Sequence, residues 1–276
     1  MFEDISKVIL FSDMDGTLLT SKKKINDGDI EAIKRFTALG GKFTVATGRT
    51  IQTFEQYRDA LELKEPVILY NGALIYDYSS KETLYMNPLP ENAKDVALEI
   101  YETMPEAGGE VLRPDGTYVF RNNDYEKLHT ELCGINPEYA DLKDIDSREW
   151  LKVLFAMAPE EILHMELLVH QNGYDSIDFV KSSNIFYEML TKGVSKGSAL
   201  QEYRKIEGYS DFTFVSVGDY DNDAEMIECA DFGACPSNAQ DSVKSKADLV
   251  LEKSCDECAI AELIDYIIAK CKVNNK

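Results

Sequence analysis

The apolar residues at the start of this chain come in short unbroken runs. Val8-Ile9-Leu10-Phe11, Phe43-Thr44-Val45-Ala46 and Val67-Ile68-Leu69-Tyr70 are continuously apolar apart from one threonine, with no regular polar alternation. Strands of that kind are buried on both faces, which is the condition of a parallel sheet covered by helices. The segments between them have helical periodicity. Residues 29–39 place Ile30, Ile33, Phe36 and Leu39 on one side before Gly40-Gly41, and residues 51–61 form a second helical stretch. The last third repeats this βαβ grammar, with helices expected at 196–206, 221–230 and 260–269 and strands at 212–217 and 249–251. Both ends of the chain are therefore expected to build one α/β core, a Rossmann-like doubly wound parallel sheet.

The middle of the chain reads differently. Val111-Leu112, the turn Arg113-Pro114-Asp115-Gly116 and Tyr118-Val119-Phe120 make a hairpin signature, and further strand-like runs lie at 153–157, 177–180 and 185–190. The expectation is an α+β domain of residues 84–189 inserted into a core of residues 1–83 and 190–276. A chain of 276 residues is long enough for two such cores.

Charge narrows the partners. With 29 Lys and Arg against 50 Asp and Glu, the net charge is −21, which excludes a generic nucleic-acid surface. No run approaches the roughly 20 apolar residues of a membrane span, and the short apolar start is not a signal peptide. Six cysteines are too sparse for a disulfide scaffold, so a reducing cytoplasm is expected, with the protein a monomer or a homodimer.

Four segments could carry chemistry. Asp13-Met14-Asp15-Gly16-Thr17 follows the first apolar run, where an open α/β sheet binds its ligands, and its two carboxylates could divide the work of nucleophile and proton donor. Gly218-Asp219-Tyr220-Asp221-Asn222-Asp223 follows the 212–217 run and offers hard oxygen ligands for Mg²⁺ or Ca²⁺. It is no EF-hand, because Ala224 and Ala230 stand where the loop needs Gly and a bidentate Glu. Thr47-Gly48-Arg49 could cradle a phosphate at a helix start. Lys196 sits at the expected start of a helix, where a cation opposes the macrodipole unless an anion lies beside it. Each segment alone has an ordinary reading as a turn, a cap or a surface lysine.

Taken together and in this order, the four segments resemble the four motifs of the haloacid dehalogenase superfamily. The insertion between the second and third is similar to the C2-type cap of its Cof-like phosphatase branch, as are Asn71-Gly72-Ala73 and Val194-Ser195-Lys196-Gly197. The resemblance implies a Mg²⁺-dependent phosphatase of small phosphorylated metabolites, such as a sugar phosphate, nucleotide or cofactor phosphate, working through an aspartyl-phosphate. It implies Asp13 as nucleophile and metal ligand, and Asp15 as general acid/base with its backbone carbonyl on the metal. Asp219 would complete the protein ligands, Thr47, Gly48, Lys196 and Asn222 would bind phosphate, and Asp223 would orient Lys196 or a metal-bound water. Cys235-Pro236-Ser237 departs from the small glycine-containing turn expected there and puts that loop's shape in question.

Competing functions are a phosphomutase, which returns the phosphoryl group to bound substrate, and a non-catalytic phospho-receiver or metabolite-binding protein on the same type of fold. A receiver needs no inserted domain and has no second carboxylate corresponding to Asp15. Cys255-Asp256-Glu257-Cys258 lacks the paired spacing of a zinc site, and His129, His164 and His170 are expected to be surface or hydrogen-bonded histidines.

Overall fold

The structure is a computed structural model that describes residues 2–271. It begins with β1 (Val8–Ser12), α1 (Asp27–Ala38), β2 (Lys42–Val45), α2 (Ile51–Leu61), β3 (Val67–Leu69), β4 (Leu74–Asp77) and β5 (Glu82–Met86). There follow α3 (Ala93–Thr103), β6 (Gly108–Arg113), β7 (Gly116–Arg121), α4 (Asp124–Cys133), β8 (Glu138–Tyr139), β9 (Lys152–Ala156), α5 (Pro159–Asn172), β10 (Ile177–Lys181) and β11 (Phe186–Thr191). The remaining elements are α6 (Lys196–Tyr203), β12 (Thr213–Val217), α7 (Ala224–Cys229), β13 (Phe232–Cys235), α8 (Asp241–Lys244), β14 (Leu249–Val250) and α9 (Ala259–Lys270). The described chain divides into two compact units: one takes in residues 2–48, 57–85 and 195–271, and the other is Met86–Val194 together with Arg49–Gln56.

The first unit is built on a parallel sheet of order β14-β13-β12-β1-β2. Every residue of β1 is buried, as its unbroken apolar run requires. From β1 the chain steps one way to β2 and later returns on the other side at β12, so β1 is the point where the winding direction reverses. Open α/β sheets leave a crevice beyond the strand ends at such a point, and Asp13 follows β1 directly. Phe11 of β1 meets the Tyr203 ring edge-on at 4.9 Å and the Phe214 ring at 5.0 Å, which ties β1, α6 and β12 into one core.

Two expected elements differ. The run at 67–70 does not extend the parallel sheet as a full strand: β3 pairs antiparallel with β4 and touches the parallel sheet through one bridge, Ala46 to Ile68. Tyr70, Asn71 and Gly72 all have positive φ, so the chain reverses there into β4. β5 left no sequence signal because Glu82, Thr83 and Leu84 are exposed. The expected helix at 221–230 is a tight turn, Asp221–Asp223, followed by the short α7, because the Asp223 carboxylate draws in the N–H groups of Asp219 and Tyr220.

The second unit carries a six-stranded sheet of order β10-β11-β9-β6-β7-β8, antiparallel except between β7 and β8. The predicted 111–120 hairpin is β6 and β7. One sheet face, with Val111, Val153, Phe155 and Met189, forms an apolar core with Ile100 of α3 and Ile162 and Met165 of α5. Helix α4 packs on β6 and β9; its cap Asn123 accepts from Glu126 N–H at 2.8 Å and donates to the Ala156 carbonyl at 2.9 Å.

Gly72 has φ 105°, and a Cβ there would collide with the Ser195 carbonyl oxygen. Ser195 opens α6 by reciprocal bonds with Ser198, so the clash falls where Lys196 is positioned. Gly72→Ala is expected to destabilise the protein by about 2–4 kcal/mol in urea unfolding, combining backbone strain with the clash. Gly208, at φ 92° with open space around its Cα, is the control. Gly208→Ala should cost only about 1–2 kcal/mol, and equal losses at the two positions would show that the Ser195 contact contributes nothing.

Candidate active site

The site is assembled at the end of β1. Asp13 prolongs the ladder by donating its N–H to the Val217 carbonyl at 2.9 Å, which brings the ends of β1 and β12 side by side. The chain then turns at Gly16, φ 94°, where a Cβ would collide with the Asp219 carboxylate. Glycine is therefore what lets the loop after β1 close on the loop after β12. Thr17 Oγ1 donates to Asp219 Oδ1 at 2.8 Å, and Asn238 Nδ2 donates to the Gly16 carbonyl at 2.8 Å.

Lys196 is the first residue of α6 and is 1% exposed. A cation in the first turn is disfavoured by the helix dipole, and burial disfavours it further. Two carboxylates resolve the conflict: Lys196 Nζ donates to Asp13 Oδ1 and to Asp223 Oδ1, each at 2.6 Å. Burial works against the ammonium, but Asp13 and Asp223 outweigh it and raise its pKa above the usual lysine value. The other oxygen of Asp223 accepts from Asp219 N–H at 3.0 Å and Tyr220 N–H at 3.1 Å. Gly218 gives this carboxylate its room, since a Cβ there would occupy it.

Oxygens of Asp13, Asp219 and Asp223 all lie within 4.8 Å of one another. Burial, and then the neighbouring Asp223, push Asp13 well above the usual carboxylate range, with Lys196 pulling it back. Burial lifts Asp219 to about 6 against the opposing hydrogen bond from Thr17. Three carboxylates around one ammonium leave a deficit of positive charge, and the donors are all oxygen. That donor set fits a hard divalent cation such as Mg²⁺.

A second group gathers beside the first at the ends of β2 and β3. Thr47 is buried; its N–H donates to the Ile68 carbonyl at 2.9 Å and its carbonyl accepts from Asn71 N–H at 3.0 Å. Asn71 Oδ1 accepts from Asn222 Nδ2 at 3.3 Å and occupies the space a Cβ on Gly48 would need. Thr47, Gly48, Asn71 and Asn222 are thus linked. Asn71 was absent from the sequence-derived site: Asn-Gly reads as a turn, and nothing local says that its side chain holds Asn222. Asn238 and Lys23 were missed likewise.

Asp15 is not in the carboxylate group. Its side chain is 38% exposed and pairs with Lys23 at 2.7 Å. Arg49, third residue of the Thr47 motif, falls in the second unit. The Cys235-Pro236-Ser237 loop closes in a turn with Ala239 N–H on the Pro236 carbonyl at 3.0 Å, which leaves Asn238 reaching both Gly16 and Cys255. His164 and His170 are exposed as expected. His129 is not a surface residue: its side chain is 14% exposed and lies against Glu110.

The signature of the haloacid dehalogenase-like hydrolases matches residues 10–264. The chain belongs to that family. It is an enzyme, and its curated relatives are phosphatases. Among them, a pyridoxal phosphate phosphatase of Escherichia coli, YbhA, is 27% identical over 264 residues, covering 88% of this chain and 92% of the relative. The Bacillus subtilis 5-amino-6-(5-phospho-D-ribitylamino)uracil phosphatase YcsE is 27% identical over 255 residues, 92% of this chain and 94% of its own. Among solved structures, a haloacid dehalogenase-like hydrolase from Bacteroides thetaiotaomicron superposes with a TM-score of 0.84 at 25% identity, over 94% of this chain and 99% of that one. The subclass IIB sugar phosphatase BT4131, at 22% identity and a TM-score of 0.80 over 94% of this chain and 98% of that one, shares the fold. Among the described residues no helix is long and apolar enough to cross a membrane.

Lys196→Met removes the one cation that, among the described residues, pairs with the buried Asp13 and Asp223, and should destabilise the ion-free protein by about 3–5 kcal/mol at pH 8. The loss should shrink at pH 5, because protonation relieves the carboxylates. Urea titrations in chelator at both pH values test this, and a loss independent of pH would argue against the assignment. Asp219, raised to about 6, holds a proton in the folded state that the unfolded chain has released. Its ionisation therefore lowers the stability of the ion-free protein as pH rises from about 4 through about 6, and Asp219→Asn should remove that part of the slope.

Proposed function

We propose that the chain hydrolyses phosphate monoesters of small metabolites through an aspartyl-phosphate on Asp13, with Mg²⁺ as cofactor. The observation that carries this reading is the buried Asp13 at the reversal point of the sheet, with one oxygen held at 2.6 Å by a lysine that Asp223 holds in turn. A nucleophile fixed in this way needs little reorganisation on attack.

Asp13 Oδ2 would attack phosphorus while Lys196 holds Oδ1. As the bond to the leaving oxygen breaks, Asp15 donates it a proton. Asp15 then takes a proton from the water that attacks the aspartyl-phosphate, the phosphorus–Asp13 bond breaks, and phosphate and the Asp13 carboxylate are restored. Asp15 must leave Lys23 to do this, since a lysine partner favours the carboxylate over the acid. Thr47, the Gly48 backbone and Asn222 would bind phosphoryl oxygens, and Lys196 would neutralise their charge. Both oxygens of Asp223 are engaged already, which supports a role in holding Lys196. Mg²⁺ would be held by the Asp13 and Asp219 carboxylates and the Asp15 carbonyl, and supplies charge neutralisation at the phosphoryl group.

These motifs are indifferent to the leaving group, so substrate choice is assigned to the inserted domain, placed by sequence at residues 84–189. The relatives named for pyridoxal phosphate and a ribitylaminouracil phosphate make ring-bearing metabolites with a single phosphate the first candidates. Sparse cysteines suit a cytoplasmic setting.

A phosphate-release screen with Mg²⁺ over pyridoxal phosphate, flavin mononucleotide, sugar phosphates and nucleotides tests the activity. Chelation should abolish turnover and Mg²⁺ should restore it. Asp13→Asn should lower turnover on the order of 10³-fold or more while circular dichroism stays unchanged. Asp15→Asn should still form phosphoryl-enzyme from an aryl phosphate, whose leaving group needs no proton, but hydrolyse it slowly. Phosphate release by a folded Asp13→Asn protein would remove the nucleophile, and release only with a bisphosphate activator would favour a mutase.

A further inference from the structure

The second unit holds a buried polar cluster that the proposed chemistry does not use. Glu110 of β6 lies on the sheet face opposite Val111 and the apolar core, and α4 covers it with Glu126 and His129. Both glutamates have no exposed surface. One ligand-capable atom from each of the three residues lies within 4.8 Å of the others, and His129 Nδ1 is 3.2 Å from Glu110 Oε1. None of the four carboxylate oxygens receives a well-aligned hydrogen bond among the described residues. Glu188 on the same sheet shows the contrast: it too is buried, but it accepts from Lys152 Nζ at 3.1 Å.

Two buried carboxylates with no well-aligned hydrogen bond, facing a single imidazole 3.2 Å from one of them, call for a cation or a proton between them. We propose that Glu110, Glu126 and His129 bind one divalent transition-metal ion of the zinc class, at a site separate from the carboxylates around Asp13. The donor set points to that class: imidazole beside carboxylate suits Zn²⁺, whereas the all-oxygen group of the first unit suits Mg²⁺. Glu126 and His129 are three apart on one helical face, and Glu110 comes from the strand beneath, so the ion would pin α4 to β6. Cys133 lies one turn beyond His129 on α4 and sets a soft donor nearby. The Phe186 ring meets the imidazole edge-on at 4.9 Å and fixes its plane. The partial exposure of His129 offers an ion its way in.

A proton is the rival occupant. Burial and the Glu110 carboxylate push Glu126 up to about 9 in the ion-free protein.

The test uses the full-length protein, stripped with chelator and kept in excess Mg²⁺, and reads Zn²⁺ binding by calorimetry and by metal analysis after dialysis. The proposal expects one equivalent of Zn²⁺ that Mg²⁺ does not displace, with a rise in unfolding temperature on Zn²⁺ addition. That equivalent and the rise should both disappear in Glu126→Gln and in His129→Ala. Zinc bound near Asp13 would persist in both variants, so the difference isolates the second-unit site. If His129→Ala does not fold, the isosteric Glu126→Gln decides alone. Zinc stoichiometry unchanged by Glu126→Gln, or no such equivalent in the parent protein, would overturn the proposal and leave a shared proton in the cluster. Binding is read without turnover, so the result does not depend on the phosphatase reading.

Discussion

One buried ammonium holds the catalytic unit together. Lys196 joins Asp13, 183 positions away, to Asp223, 27 positions away, and so clasps the ends of β1, α6 and the turn after β12 at one point. No two of these residues could remain buried without the third: the lysine alone faces a helix dipole and desolvation, and the carboxylates alone repel each other. The clasp therefore stabilises the fold and, on the function proposed above, would in the same bonds prepare Asp13 as the nucleophile.

Close approach is the second requirement. Gly16 and Gly218 stand where a side chain would displace Asp219 or Asp223, and Gly72 stands where one would displace the start of α6. At these positions the absence of a Cβ does what the presence of charge does at Lys196, because carboxylates can share a cation only if their loops can meet. Asn71 closes the arrangement from the β3 side, its side-chain Oδ1 accepting from Asn222 Nδ2.

The two polar clusters of the molecule invite comparison. Around Asp13 the negative charge is partly balanced by Lys196 and by backbone N–H groups. Around Glu110 and Glu126 the facing group is the His129 imidazole, 3.2 Å from Glu110, and among the described residues no lysine or backbone N–H makes a well-aligned hydrogen bond to either carboxylate. A buried carboxylate so placed is unstable as an ion, and the difference between the two clusters lies in what completes each one.

Periodicity and spacing alone were enough for the layers of this protein. Continuously apolar runs imply a doubly covered parallel sheet, and two carboxylates directly after the first run imply a ligand site at its end, because strand direction dictates which way those residues point. The four motifs, each a local string at a strand or helix end with an ordinary reading of its own, were legible together through their joint resemblance to a known family. What the string could not contain is pairing across distance. That β3 turns back on β4, that Asp15 meets Lys23, that Asn71 supports Asn222 and that His129 is sealed against Glu110 all depend on segments brought together only by packing. A histidine or an asparagine reads the same in sequence whether it faces water or a buried carboxylate, and only the tertiary fold decides which, by setting the solvent and the partners around it.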